Sequence, residues 1–186
     1  DPIAGACTFT TARANLPFTG DLQSATSIHV VGSRVYAGTA AGLATSTDGG
    51  LTFTVSAAGL GGPIVFDVYA VGSTVYVATS GGVSISTNGG ATWTNSTTGL
   101  GSGIVRGVYA VGSTVYAATQ GGLGISTNGG ASFDNKTTGQ GLGSDIVRGV
   151  YAVGSTVYAA TQGGLGISTN GGDSFTNKTT VDGLGH

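Results

Sequence analysis

An eight-residue phrase recurs four times in this 186-residue chain, each time running from Ser-Thr-Asp/Asn-Gly-Gly to an aromatic residue. The copies are Ser46 to Phe53, Ser86 to Trp93, Ser126 to Phe133 and Ser168 to Phe175. The second glycine of each, Gly50, Gly90, Gly130 and Gly172, marks spacings of 40, 40 and 42 residues. A period of that size, filled with strand and turn signals alone, predicts an all-β array of repeated sheets of the β-propeller type. A sheet that is apolar on both faces cannot stand alone, so each unit must stack on its neighbours.

The third and fourth repeats show the unit most clearly. Residues 107–133 and 149–175 differ at one position, Ala131 against Asp173. In the third repeat, 104–111 reads as strand A, Gly112-Ser113 as a tight turn and Thr114 to Thr119 as strand B, rich in β-branched and aromatic residues. Gly121-Gly122 turns the chain into strand C, Leu123 to Thr127. Asn128-Gly129-Gly130 is a hairpin signal, because Asn and Gly tolerate positive φ. Strand D runs from Ala131 to about Lys136, and a Gly-rich segment, 139–144, leads onward. Four antiparallel, four-stranded blades are therefore expected at 24–56, 63–96, 103–137 and 145–179, within a domain spanning 24–186 and preceded by a lead-in at 1–23.

Composition narrows the class of function. Charged residues make up 8% of the chain, Met and Glu are absent, and there are 37 glycines. So little charge suits a surface partly covered by neighbours, or a protein outside the cell. The net charge of −2 argues against nucleic acid, which needs a concentrated basic face. No apolar run approaches the ~18 residues of a membrane span. The chain opens on Asp1 without a methionine, which leads us to expect a processed or excised piece of a longer product. Cys7 is the single cysteine and is expected either to pack beside Thr8 and Phe9 or to cross-link two chains.

The four octets resemble the Asp-box, or BNR, repeat (Ser-x-Asp-x-Gly-x-Thr-Trp/Phe) of sialidases, sortilin-type receptors, photosystem assembly factors and many secreted bacterial propellers. That resemblance covers all four repeats and implies a β-propeller with the motif on the C–D hairpin, at the blade periphery and away from the central channel. It implies a structural role for Ser46, Asp48, Gly50 and Phe53, for Ser86, Asn88, Gly90 and Trp93, for Ser126, Asn128, Gly130 and Phe133, and for Ser168, Asn170, Gly172 and Phe175. The chemistry of the residues agrees. A Ser or Asp side chain can hydrogen-bond the backbone of its own turn, and Gly takes the φ that other residues avoid. Only Asp48 keeps the acid, and three amides in its place are poor cation ligands, so no metal or cofactor is expected.

A sialidase-like activity, which the resemblance raises, would need an arginine cluster, a Tyr/Glu nucleophile pair and an acid. The chain has no Glu and only Arg13, Arg34, Arg106 and Arg148. Its two histidines, His29 and His186, form no acid–base set. Catalysis is therefore not expected. Arg106 and Arg148 share a place in strand A, where Thr26 and Phe66 stand in the other repeats. They are read either as contacts for an anion or sugar acid at the channel mouth, or as solvated charges that prevent sticking. Rings at His29, Tyr109 and Tyr151 are expected to pack between blades.

Residues 8–10, Thr-Phe-Thr, copy Thr52-Phe53-Thr54, and Leu16 follows as Leu60 does. The chain thus starts with a D-type strand lacking its own A, B and C. An unpaired outer strand is a template for another chain, so Cys7, Thr8, Phe9 and Thr10 are a candidate inter-subunit strand; the alternative is that residues 1–20 lie along the rim. The functional expectation is a secreted or cell-surface structural or adhesive propeller that self-associates into oligomers or filaments. The competing expectation is a multivalent module for a cell-surface glycan, in which repetition supplies avidity. A segment of a longer array is a third.

Overall fold

The computed structural model describes residues 24–185. It is an array of four antiparallel sheets, each a simple up-and-down meander. Blade 1 comprises β1 (Ala25–Val31), β2 (Arg34–Thr39), β3 (Gly42–Ser46) and β4 (Thr54–Ser56); blade 2 comprises β5 (Val65–Val71), β6 (Thr74–Thr79), β7 (Gly82–Ser86) and β8 (Thr94–Ser96). Blade 3 comprises β9 (Val105–Val111), β10 (Thr114–Thr119), β11 (Gly122–Ser126) and β12 (Asp134–Lys136). Blade 4 comprises β13 (Val147–Val153), β14 (Thr156–Thr161), β15 (Gly164–Ser168) and β16 (Thr176–Lys178). The proposed N-terminal strand, with Cys7, Thr8, Phe9 and Thr10, lies outside the described residues.

Each blade repeats one set of connections. The A–B turn places a glycine first, with φ of 57–61° at Gly32, Gly72, Gly112 and Gly154, and a non-glycine second. That is the arrangement of a II′ turn, whose twist matches the strands it joins. At the B–C turn a threonine closes the chain on itself: the Thr119 hydroxyl donates to Gly122 O at 2.8 Å and accepts from Gly121 N at 3.0 Å. Thr39, Thr79 and Thr161 do the same.

Two details differ from the sequence expectation. The C–D connection is not a short hairpin with Asn at positive φ. It is a loop, residues 127–133 in blade 3, and only its glycines, Gly129 and Gly130, take positive φ. The aspartyl and asparaginyl side chains act as acceptors instead. Strand D accordingly starts at Asp134 rather than Ala131, and strand C runs from Gly122 to Ser126.

Blades stack in chain order, with the inner strands β1, β5, β9 and β13 meeting in succession, whereas blades 1 and 4 share no comparable contact. Each joint has the same two halves. The front face of one blade offers a tyrosine, a small residue, an aliphatic and a β-branched residue, as at Tyr116, Ala118, Leu123 and Ile125. The back face of the next offers small and β-branched residues, as at Val147, Ala152, Val157 and Ala159, together with the octet aromatic Phe175. The linker leucines Leu60, Leu100 and Leu142 fill the outer end of the three joints. A fully buried Val or Leu contributes roughly 1.5–3 kcal/mol, so the joints, rather than the sheets alone, carry the stability.

Candidate functional site

Two regions concentrate the repeated polar and aromatic residues: the octets at the outer end, and the inner rim of strand A. In blade 1, the buried Ser46 hydroxyl accepts from Gly50 N at 2.8 Å and donates to Asp48 Oδ1 at 2.6 Å. Asp48 Oδ1 then accepts from the Leu51 and Thr52 amides, both at 3.0 Å, and Asp48 Oδ2 accepts from the Thr52 hydroxyl at 2.6 Å. Hydrogen bonds from Ser46 and then Thr52 hold the Asp48 carboxyl well below the usual carboxylate range.

The amide copies keep the same frame. Ser86, Ser126 and Ser168 accept from Gly90, Gly130 and Gly172 at 2.8–2.9 Å. The side-chain oxygens of Asn88, Asn128 and Asn170 accept from Thr92 N, Ser132 N and Ser174 N at 2.9–3.2 Å. Their amide nitrogens donate to the hydroxyls of those residues at 2.8–3.0 Å. A hydroxyl is both donor and acceptor, so it serves the carboxylate by donating and the amide by accepting. That is why Asp and Asn interchange here.

In blades 2 to 4 the octet aromatic faces the preceding blade. Phe133 and Phe175 are buried in the inter-blade cores, and their backbone amides donate to Thr98 O and Gln140 O of the preceding linker at 2.9 and 2.8 Å. Trp93 is partly buried in the joint between blades 1 and 2, beside the Gly59 and Gly90 backbones. An open groove of about 340 Å³ runs between the octets of blades 2 and 3, lined by Ile85, Thr92, Asn95, Asn128 and Gly129.

The inner rim has a device that the sequence did not reveal. Strand A carries a β-bulge in every blade, and the residues it skips are Thr26, Phe66, Arg106 and Arg148. A bulge re-aims a side chain out of the sheet's alternation. Arg106 lies with its guanidinium carbon 4.4 Å from the Phe66 ring centre, Arg148 is exposed, and the Thr26 hydroxyl donates to Val65 O at 2.7 Å. Beside the bulge, the Asp67 carboxylate accepts from Val68 N at 2.9 Å and from Val108 N of the next blade at 3.0 Å. Burial pushes its carboxyl up despite those hydrogen bonds. The sequence marked this repeat position only by its change from Thr26 to Phe66 to the paired Arg106 and Arg148.

Behind the rim, His29, Tyr69, Tyr109 and Tyr151 form a continuous ladder with ring centres 4.8–4.9 Å apart. Burial, with hydrogen bonding to the neighbouring tyrosines, pushes the Tyr109 hydroxyl up to about 12. Three asparagines that each begin an Asn-x-Ser/Thr triplet, at 95, 135 and 177, are also held by the fold. Asn95, Asn135 and Asn177 donate through their side-chain nitrogens to Gly59 O, Gly121 O and Gly163 O at 2.8–2.9 Å. Among the described residues no three His, Cys, Asp or Glu side chains come together, and no helix is long and apolar enough to cross a membrane.

No family model and no curated protein matches the chain. Solved structures do. The extracellular domain of BT4673 from B. thetaiotaomicron aligns over 90% of this chain and 26% of its own, with a TM-score of 0.70 at 15% identity. An ancestral GH74 enzyme aligns over 83% of this chain and 24% of its own, with a TM-score of 0.66 at 19% identity. YCF48 from Cyanidioschyzon merolae aligns over 83% and 56%, with a TM-score of 0.60 at 16% identity. The chain thus spans about a quarter of the first two and just over half of the third. Likeness at these identities concerns the fold, and the fold it supports is a β-propeller array of repeated blades.

Proposed function

We propose that the protein is a non-catalytic, secreted or surface-exposed propeller that works as a structural and adhesive building block and associates with itself. The observation that carries this reading is the fate of the octets. Their repeated Ser, Asp and Asn groups are spent on their own loops, and the aromatics of blades 2 to 4 on the blade joints. Read as Asp boxes, they are scaffolding and carry no chemistry. Extracellular location is supported by the extracellular domains among the similar structures. Self-association is supported by scarce charge and by the D-type strand at residues 7–10, which the sequence leaves without a blade.

A second reading, glycan binding at the inner rim, is favoured by one arrangement: exposed Arg106 and Arg148 re-aimed by bulges, with the Phe66 ring beside the first. Guanidinium groups over an aromatic suit an anionic sugar.

Electron microscopy of the chain, with hydrolysis assays on aryl glycosides and binding to immobilised acidic and neutral glycans, separates these readings. Discrete assemblies with no turnover and no retention support the building block. Retention that is competed by free sugar and lost in Arg106→Ala/Arg148→Ala supports the second. Turnover would overturn both.

A further inference from the structure

The three blade joints are copies of one contact, and both halves of that contact reappear without a partner among the described residues at the two ends of the array. On the front of blade 4, Tyr158, Leu165 and Ile167 are only half-buried and Ala160 is exposed, although their blade 3 counterparts Tyr116, Leu123, Ile125 and Ala118 are buried. On the back of blade 1, Ile28 is 68% and Val30 54% exposed, whereas Val68 and Ala70, their counterparts in blade 2, are buried. The ring ladder is cut at the same two places: it starts at His29 and ends on Tyr151, which is 54% exposed.

We propose that a second copy of this chain docks head to tail on the first, the front of blade 4 taking the back of blade 1, and that two copies close into one ring of eight blades. The inference rests on the self-association proposed above and names the surface responsible. Three features argue for this occupant. The socket on blade 4 is a depression of about 230 Å³ lined by Gly149, Val150, Tyr151, Tyr158, Ala160 and Leu165. The face that fills the equivalent socket on blade 3 is built from strands of the same register and type as those of blade 1. Docking would also carry the ladder across the joint, with Tyr151 meeting His29 of the second copy as Tyr109 meets Tyr151 within the chain.

For the four blades of this 186-residue chain, closure follows from counting. A head-to-tail contact makes a ring when its rotation closes and a filament otherwise. Rings of about four to eight blades are the ordinary range, which two copies of four blades reach and three exceed. A two-copy ring also makes two joints in a single association.

The test uses the 186-residue chain in multi-angle light scattering and sedimentation at tens of micromolar. The expected mass is about 36 kDa, twice the 17.9 kDa of one chain. Ala160→Arg and Val30→Arg, both at sites exposed in a single chain and therefore compatible with folding, should each weaken dimerisation by about 30-fold or more. Mixing the two variants restores one intact joint, so a 1:1 complex should form where neither variant pairs with itself. Circular dichroism checks that both are folded.

A dimer indifferent to both substitutions would overturn the proposal and leave self-association standing. If that dimer were lost on deleting residues 1–11, strand addition would be the route instead. Open polymers in place of a 36 kDa species would overturn ring closure. A monomeric wild-type chain would sink this inference and the self-association reading together.

Discussion

Blade 3 and blade 4 are built from almost the same residues, yet they live in different surroundings. From 107 to 133 and from 149 to 175 a single residue changes. Ala118 and Leu123 are fully buried under blade 4, while their counterparts Ala160 and Leu165 have no blade over them. The one change even joins the two: Asp173, standing where Ala131 stood, lies 3.9 Å from Lys136 of blade 3. A repeat therefore specifies its own loops completely and its core only jointly with the next repeat. Nearest-neighbour stability of this kind is what stacked arrays are expected to show.

The sharpest way to break this comparison is to place the same charge at the same repeat position. Ala118→Arg buries an unpaired guanidinium and should cost about 3–5 kcal/mol in urea unfolding. Ala160→Arg, measured in dilute monomer, should stay within about 0.5 kcal/mol. Next, Leu123→Ala should cost about 2–5 kcal/mol through transfer and cavity terms, and Leu165→Ala less than half of that.

The octets should behave in the opposite manner. Ser126 and Ser168 make the same local bonds and are both buried. Ser126→Ala and Ser168→Ala should therefore cost the same, about 1–3 kcal/mol each, because each leaves a buried glycine amide unpaired. Unequal costs would show that the loops also depend on neighbours.

Smaller effects come from the rim. Arg106 rests on Phe66, but Arg148 has Arg106 at the corresponding place in the preceding blade, with no ring to rest on. Arg106→Ala should lose about 0.5–1 kcal/mol and Arg148→Ala nothing measurable.

Asp67 extends the comparison to blade 2, since glycines 107 and 149 take its place in blades 3 and 4. Its folded carboxyl titrates above the ordinary 3.8, so the stability it contributes is complete below that value and is lost as pH rises through the raised one. Asp67→Asn should flatten that part of the stability–pH curve. Asp48 has the opposite sign, its contribution being present above 3.8 and fading only in stronger acid.

The octets and turn glycines made the blades legible in the sequence, because a Gly-Gly pair or a Val-Gly-Ser step acts through its own backbone. The bulges at Thr26, Phe66, Arg106 and Arg148 were not legible, since a position that holds Thr, Phe and Arg in turn gives no pattern that marks a bulge. Asp67 was equally hidden: its acceptor role needs Val108 of the next blade, and no local rule brings the two together. The uncovered faces could not be read either, because the residues that make them are the ones that make the buried joints.

Amide hydrogen exchange on the Ala160→Arg variant, held monomeric, tests the central claim most directly. The account predicts that β14 and β15 exchange markedly faster than β10 and β11 despite their shared sequence, with the octet amides Gly130 and Gly172 protected alike. Equal protection of the two strand pairs would contradict it.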